Sequence, residues 1–177
     1  MSKRLVVTAL VCAASLLSQT TTNQAPSRPS WKPLEFLIGT WDAKTQGGSA
    51  GAASSGAYSF KLDLRDHVLT RRSSTTGCKG PSDFDCEHGD LLYIYHEIPG
   101  PSYKAIYFDN EGHVIHYDVS TPTPAAAIFL SSPSQSGPEY RLRYELKART
   151  MYGTFQMRMP GEAEFKTYLE WSGERKN

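Results

Sequence analysis

A strict alternation of apolar and charged side chains over Tyr140–Lys147 is the feature that most constrains this chain. The segment reads YRLRYELK, so its two Tyr and two Leu residues share one face of an extended strand and the charged residues share the other. One face is then buried and the other is in water, as in an antiparallel sheet that is covered on one side. The core is therefore expected to consist of half-buried β-strands.

The same period of two recurs along most of the chain. It is clear over 58–64 and 113–119, and further short segments repeat it less regularly: 36–44, 67–75, 91–96, 103–108, 126–130, 154–159 and 165–171. Clusters of Gly, Pro, Asn and Asp separate the segments at short intervals, as turns do. No segment after residue 40 has the pattern of a helix of three turns. The sequence thus predicts about ten strands and almost no helix.

Short connections between these strands favour one closed sheet. Two stacked open sheets, the alternative, usually need longer crossings between them, whereas neighbours joined by hairpins tend to pair in order. We therefore predict an all-β, up-and-down antiparallel β-barrel of about ten strands. A barrel of this size can enclose one small ligand.

The N-terminus has the layout of a secretory signal peptide. Lys3 and Arg4 precede an apolar run over 5–17, and a polar stretch without periodicity follows. The run is too short to cross a bilayer as a helix, and it lacks the polar face of a buried core helix. We predict export to the periplasm or the extracellular space.

Cleavage at a site between Ser18 and Ala25 divides the chain into three parts. Residues 1–25 are the signal peptide and cleavage region, 26–33 an N-terminal linker and 34–177 a single barrel domain. The complete chain has a formal charge of +1, and cleavage removes two cations and no acid, which leaves −1. This balance gives no electrostatic basis for binding nucleic acid, and we expect no integral membrane segment in the mature domain.

Two cysteines remain after cleavage, and they are predicted to form a disulfide. Cys78 and Cys86 lie in a turn-rich segment, GCKGPSDFDCEHGD, and an oxidising compartment favours their pairing. Such a short loop would gain about 2 to 3 kcal/mol by the chain-entropy model. A metal site that includes His88 is the alternative. Zinc sites usually require two close ligand pairs, and because only one is present we expect no metal.

The segment Leu34–Trp41, LEFLIGTW, resembles the Gly-x-Trp signature of lipocalins and other calycins. It is more similar still to short bacterial lipocalin-like families of unknown function and to nitrobindin-like barrels. The resemblance implies that Trp41 closes one end of the barrel beneath a basic residue after the last strand, here Arg175, a contact that contributes about 0.5 to 2 kcal/mol. Nitrobindin-like proteins bind haem through a histidine near the C-terminal strands. This chain has no histidine after His116, so we expect no haem and no other cofactor.

Gly47–Gly51 matches the Gly-x-Ser-x-Gly pattern of serine hydrolases. That chemistry requires the serine on a strained turn between a strand and a helix, and no helix is predicted here. We interpret the match as chance in a biased tract and predict no catalytic residues. The surrounding loop, Thr45–Gly56, is expected to be flexible, either as a lid or as a simple surface connection.

If the apolar phase of the strands points inward, the barrel could bind a mainly apolar or amphipathic molecule. One of the adjacent residues Arg71 and Arg72 should also face the interior, where it would bind a ligand carboxylate or a structural acid. We predict a cavity lined by Phe60, Leu62, Arg72, Tyr93, Phe108, Tyr117, Tyr144, Phe155 and Met157. Two alternatives stay open: a filled barrel that acts as an interaction module in the cell envelope, and a calycin-type enzyme.

Overall fold

The computed structural model describes residues 29–98, 100, 102–133 and 136–176. The predicted signal peptide lies outside these residues, and so do residues 26–28 of the predicted linker. The described part consists of a 3-10 helix at Lys32–Leu37 and ten strands: β1 Gly39–Gly47, β2 Ala53–Asp63, β3 Val68–Lys79, β4 Asp90–His96, β5 Tyr103–Asp109, β6 Val114–Thr123, β7 Ala126–Ser131, β8 Glu139–Lys147, β9 Thr150–Arg158 and β10 Lys166–Arg175.

The ten strands form a closed up-and-down barrel. Each strand pairs antiparallel with the next along the chain, and β10 pairs with β1 to close the sheet. The predicted all-β barrel is therefore confirmed. None of the helices within the described ranges has the length and apolar character needed to cross a membrane.

The alternation that predicted β8 also determines which of its side chains enter the core. Leu142 and Tyr144 are buried inside the barrel, while Arg143 between them is exposed. The strands run up and down, so the loops at 48–52, 80–89 and 110–113 all lie at one end of the barrel. We call this the open end.

The opposite, closed end is covered by the segment before β1. Leu34 and Leu37 of the 3-10 helix are completely buried. Trp31 is buried as well, and its indole Nε1 donates a hydrogen bond to the carbonyl oxygen of Asp66 in the β2–β3 turn at 2.7 Å. The sequence placed Trp31 in a linker. The apolar contacts of its indole instead make it part of the barrel end.

Trp41 lies completely buried at this closed end. Its indole Nε1 donates to the carbonyl oxygen of Leu37 at 2.9 Å. The guanidinium carbon of Arg175 lies 4.3 Å from the centroid of the Trp41 ring. Arg175 also donates to the carbonyl oxygens of Ile38 at 2.6 Å and Phe36 at 3.3 Å. The first strand, the helix before it and the end of the last strand are thereby joined, in the arrangement that the resemblance implied.

A disulfide joins Cys78 to Cys86, which confirms the predicted bond. Cys78 lies near the end of β3, and Cys86 lies in the loop 80–89. The bond therefore restrains the longest loop at the open end. It also uses both thiols that the alternative metal site would have needed.

The predicted flexible loop Thr45–Gly56 is mostly strand. β1 and β2 continue into it and leave only 48–52 as the turn. The backbone amides of Ser49 and Ala50 donate to carbonyl oxygens of the segment that begins β10, at 3.1 and 2.9 Å. Gly48 has a φ of +116°, and a Cβ there would lie 2.3 Å from a backbone oxygen of that segment. The small residues therefore allow close packing against β10, and Ser49 does not occupy a strand-to-helix turn.

Candidate ligand-binding site

A cavity of about 420 Å³ lies inside the barrel toward its open end. The closed half of the barrel is filled by completely buried side chains, which include Trp41, Phe60, Leu69, Ile94, Phe129 and Tyr144. The sequence left open whether the barrel is filled or hollow. It is filled in one half and hollow in the other.

Apolar and aromatic side chains form the walls of the cavity. Leu142 and Tyr140 of β8 face Phe155 and Met157 of β9. The rings of Tyr140 and Phe155 stack with centroids 5.6 Å apart, and Tyr168 meets Phe155 edge to face at 6.3 Å. These strands alternate regularly, so the apolar phase faces inward and supplies the apolar lining.

The floor of the cavity contains a buried ion pair. Arg71 of β3 and Asp90 of β4 are 7% and 8% exposed. Two parallel contacts join them, with Nη1–Oδ1 at 3.0 Å and Nη2–Oδ2 at 3.2 Å. Burial would raise the pKa of the Asp90 carboxyl, but the Arg71 guanidinium outweighs that effect and holds this pKa below its usual range. Both groups are therefore charged at neutral pH.

Aromatic side chains surround Arg71 where the cavity meets the filled half. Its guanidinium carbon lies 5.6 Å from the ring centroid of Tyr58 and 5.9 Å from that of Tyr144. Tyr117 packs edge to face on the buried Phe129, with centroids 6.2 Å apart. Burial raises the pKa of the Tyr58, Tyr117 and Tyr144 hydroxyls. All three therefore keep their protons at neutral pH and can donate hydrogen bonds.

Several buried polar atoms at this floor have no hydrogen-bond partner among the residues that the structure describes. They are the hydroxyls of Tyr58, Tyr117 and Tyr144, the Nε of Arg71, the indole Nε1 of Trp171 and one acceptor, the Oδ1 of Asp90, which has only its ion contact with Arg71 Nη1. All of these residues except Tyr144 line the cavity. Buried polar groups are rarely left unpaired in proteins, since each costs about 1 to 3 kcal/mol. The floor therefore contains polar groups whose hydrogen bonds the described residues do not supply.

His88 connects the floor to the rim. Its Nδ1 contacts Glu111 Oε1 at 2.9 Å, and its Nε2 contacts the Tyr107 hydroxyl at 3.1 Å and Asp90 Oδ2 at 3.6 Å. The interaction with Asp90 has the largest effect and raises the pKa of His88. Burial acts in the opposite direction, and the interaction with Glu111 raises the pKa further, so that it is about 9. His88 is therefore positively charged at neutral pH.

Three rim side chains come close enough to approach one metal ion. Ligand atoms of Asp85, His88 and Glu111 lie within 4.8 Å of one another. Each side chain already has a partner within the protein, since Asp85 accepts a hydrogen bond from Asn110 Nδ2 at 2.9 Å and His88 contacts Glu111. We interpret these contacts as a link between the loops 80–89 and 110–113.

The structure divides the predicted lining residues into three groups. Tyr117, Phe155 and Met157 line the cavity. Phe60 and Tyr144 face the interior but belong to the filled half. The placement of the remaining four was wrong, because they are exposed: Leu62, Arg72, Tyr93 and Phe108.

The wrong placements of Tyr93 and Phe108 have a common cause. Each is 38% exposed, and their rings pack edge to face on the outside of β4 and β5 with centroids 6.2 Å apart. In both strands apolar side chains point to both faces of the sheet, so the alternation of apolar and polar residues does not identify the inner face. Leu92 and Tyr107 occupy the inner positions instead.

Sequence reasoning also missed most of the polar floor. It selected Arg72 rather than Arg71, and it did not include Asp90, Tyr58 or Trp171 in the lining. The β2–β3 register contains the missing signal, because Phe60 pairs directly with Arg71. Directly paired residues of antiparallel strands point to the same side, so an inward Phe60 implies an inward Arg71.

Comparison with known proteins gives no assignment. No protein-family model matches the chain, and no curated protein matches its sequence. The closed antiparallel barrel of ten strands is consistent with a calycin-like fold.

Proposed function

We propose that this chain is an exported, non-enzymatic protein that binds one small, mainly apolar molecule inside its barrel. The observation that carries the proposal is the cavity of about 420 Å³, with apolar walls and a few converging polar groups at its floor. Small-molecule sites commonly have this size and this composition.

Two features support export. The Cys78–Cys86 disulfide is typical of proteins that fold in an oxidising compartment, and the first 25 residues have the pattern of a signal peptide. A lipocalin-like relationship is part of the same proposal. It is supported by the resemblance over Leu34–Trp41 and by the barrel topology.

A calycin-type enzyme would require ionisable groups that converge in the cavity with altered pKa values. His88, Asp90 and Glu111 do lie there. Their contacts favour a binding site over a catalytic one, because both ring nitrogens of His88 are engaged and Asp90 is paired with Arg71. A His88 that is already protonated at neutral pH cannot act as a general base.

Native mass spectrometry of the protein purified from its own cell envelope tests the proposal directly. We expect a retained small molecule with a stoichiometry of one. Titration with the neutral apolar dye Nile red gives an independent measurement, and we expect one saturable site per chain. A protein that retains no molecule and does not bind the dye would refute the proposal and favour an interaction module.

Two methionines near the end of β9 give a matched pair of variants. Met157 lines the cavity, whereas Met159 is 50% exposed beyond the strand. Met157→Trp should reduce the free volume and weaken Nile red binding at least tenfold, and Met159→Trp should leave binding unchanged. Equal binding by both variants would place the dye outside the barrel and contradict the proposed site.

A further inference from the structure

We infer that the ligand carries an uncharged hydrogen-bond acceptor, such as a carbonyl or ether oxygen, at the end that reaches the cavity floor. This inference rests on the proposed function and adds the chemical class of the ligand. Three observations carry it: the unpaired donors at the floor, the balance of charge around them and the apolar walls above.

The unpaired groups at the floor are mainly donors. Arg71 uses Nη1 and Nη2 for Asp90, and its Nε–H has no partner within the described residues. The Nε of arginine and the indole nitrogen of Trp171 donate but cannot accept hydrogen bonds. The hydroxyls of Tyr58 and Tyr117 add two protonated donors. A ligand group at this place must therefore supply acceptor oxygen.

The cations around the floor are already matched by carboxylates. Arg71 and His88 are positive, while Asp90 and Glu111 are negative. A third carboxylate, that of the Asp109 side chain, is buried beside Asp90 and contacts His113 at 2.9 Å. A ligand carboxylate would add a negative charge near the buried Asp90 with no cation left to offset it. A ligand ammonium would meet the unpaired N–H donors and could not accept from them. Because uncompensated charge in a buried site is costly, a neutral acceptor fits best.

The walls of the cavity indicate the chemical character of the rest of the ligand. Leu142, Phe155 and Met157 lie between the floor and the rim, and they offer mainly apolar contact. The polar end of the ligand is thus the buried end, and its apolar chain extends toward the opening.

Displacement of Nile red by three molecules with the same chain length tests this inference. We would compare 2-decanone, decanoate and decylamine at pH 7.5, where the acid and the amine are charged. The ketone should displace the dye at a concentration at least tenfold lower than either charged molecule. If decanoate or decylamine displaces the dye as well as the ketone or better, the inference is refuted, while dye binding itself still supports a cavity.

Removal of single hydroxyl groups then tests the floor. Tyr117→Phe and Tyr58→Phe should each weaken 2-decanone binding about three- to tenfold, as expected for one hydrogen bond. Tyr152→Phe is the matched control, because Tyr152 lies on β9 and is 44% exposed; we expect no change. A ketone preference that persists at full strength in both floor variants would overturn the assignment of the acceptor to this floor. Absence of Nile red binding to the wild-type protein would instead refute the proposed function.

Discussion

Substitution of Gly153 by alanine should damage both the fold and the cavity. Gly153 is buried on β9, directly opposite Trp171 on β10. A Cβ at this glycine would lie 2.1, 2.2 and 2.5 Å from the indole atoms Cε2, Cζ2 and Nε1 of Trp171. The flat ring therefore lies against the bare backbone of Gly153, in the space that a side chain at this position would occupy.

The cost follows from how far the ring has to move. Ordinary carbon contacts are about 3.5 to 4 Å long, so the indole must shift by about 1.5 Å. It cannot do so freely, because Trp171 is only 9% exposed and its ring packs on Tyr144 with centroids 5.7 Å apart. Overpacking of this kind lowers the free energy of unfolding by about 1 to 3 kcal/mol. Replacement of a strand glycine by alanine raises it by about 0.5 to 1 kcal/mol, because alanine has less backbone freedom to lose on folding. We expect a net loss of about 1 to 2 kcal/mol.

Thermal unfolding followed by circular dichroism measures this loss. A domain of this size should lose about 2 to 8 °C in Tm. Nile red binding should also weaken, because the displaced indole enters the cavity that it lines. Gly89→Ala is the control, since the nearest heavy atom to its Cβ would be 4.0 Å away. In a Trp171→Phe background the penalty of Gly153→Ala should shrink. An equal penalty in both backgrounds, or an unchanged Tm, would refute the steric argument.

Three further predictions concern the rim and the closed end. Because the pKa of His88 is raised in the fold to about 9, its protonation adds stability that is complete below about pH 6.5 and is lost as the pH rises through about 9. Urea unfolding should show a loss of about 2 to 3 kcal/mol over this range, and His88→Gln should flatten it. Thiol labelling of the exported protein should find neither Cys78 nor Cys86 free, and reduction should cost about 2 to 3 kcal/mol; labelling of both would contradict the bond. Trp41→Ala should destabilise by about 3 to 5 kcal/mol in chemical unfolding without changing which ligands bind, and a mild loss would show that Trp41 does not support the closed end.

The fold was largely predictable because ten strands repeat one local pattern. β8 was predicted as Tyr140–Lys147 and spans Glu139–Lys147. A half-buried strand places its polar and apolar residues by a local rule, and short turns then restrict the topology to neighbours that pair in order. The tract at 48–52 was harder to interpret. Its glycines and alanines suggested flexibility, but in the fold their small size allows the backbone to approach β10 closely.

The candidate site was only partly predictable. Phe155 and Met157 belong to a strand with clear alternation, and both were placed in the cavity correctly. Tyr93 and Phe108 belong to strands with apolar residues in both phases, and both were placed wrongly. Only one of the two alternating sets of side chains in a strand can point into the barrel. The choice between them depends on the register with neighbouring strands, which the composition of one strand does not contain.

Register also accounts for the ion pair at the floor. The predicted strands 58–64 and 67–75 leave a turn of two residues between them, and counting back from this turn pairs Phe60 with Arg71, as observed. Arg71 in turn pairs with Leu92 on β4, so Asp90 lies two residues away on the same face, where a long guanidinium can reach it. A cation that the register brings into the barrel requires an acid beside it, and here the same register supplies the acid. The Nε–H that remains unpaired follows from this geometry, because Asp90 meets only the two terminal nitrogens of Arg71.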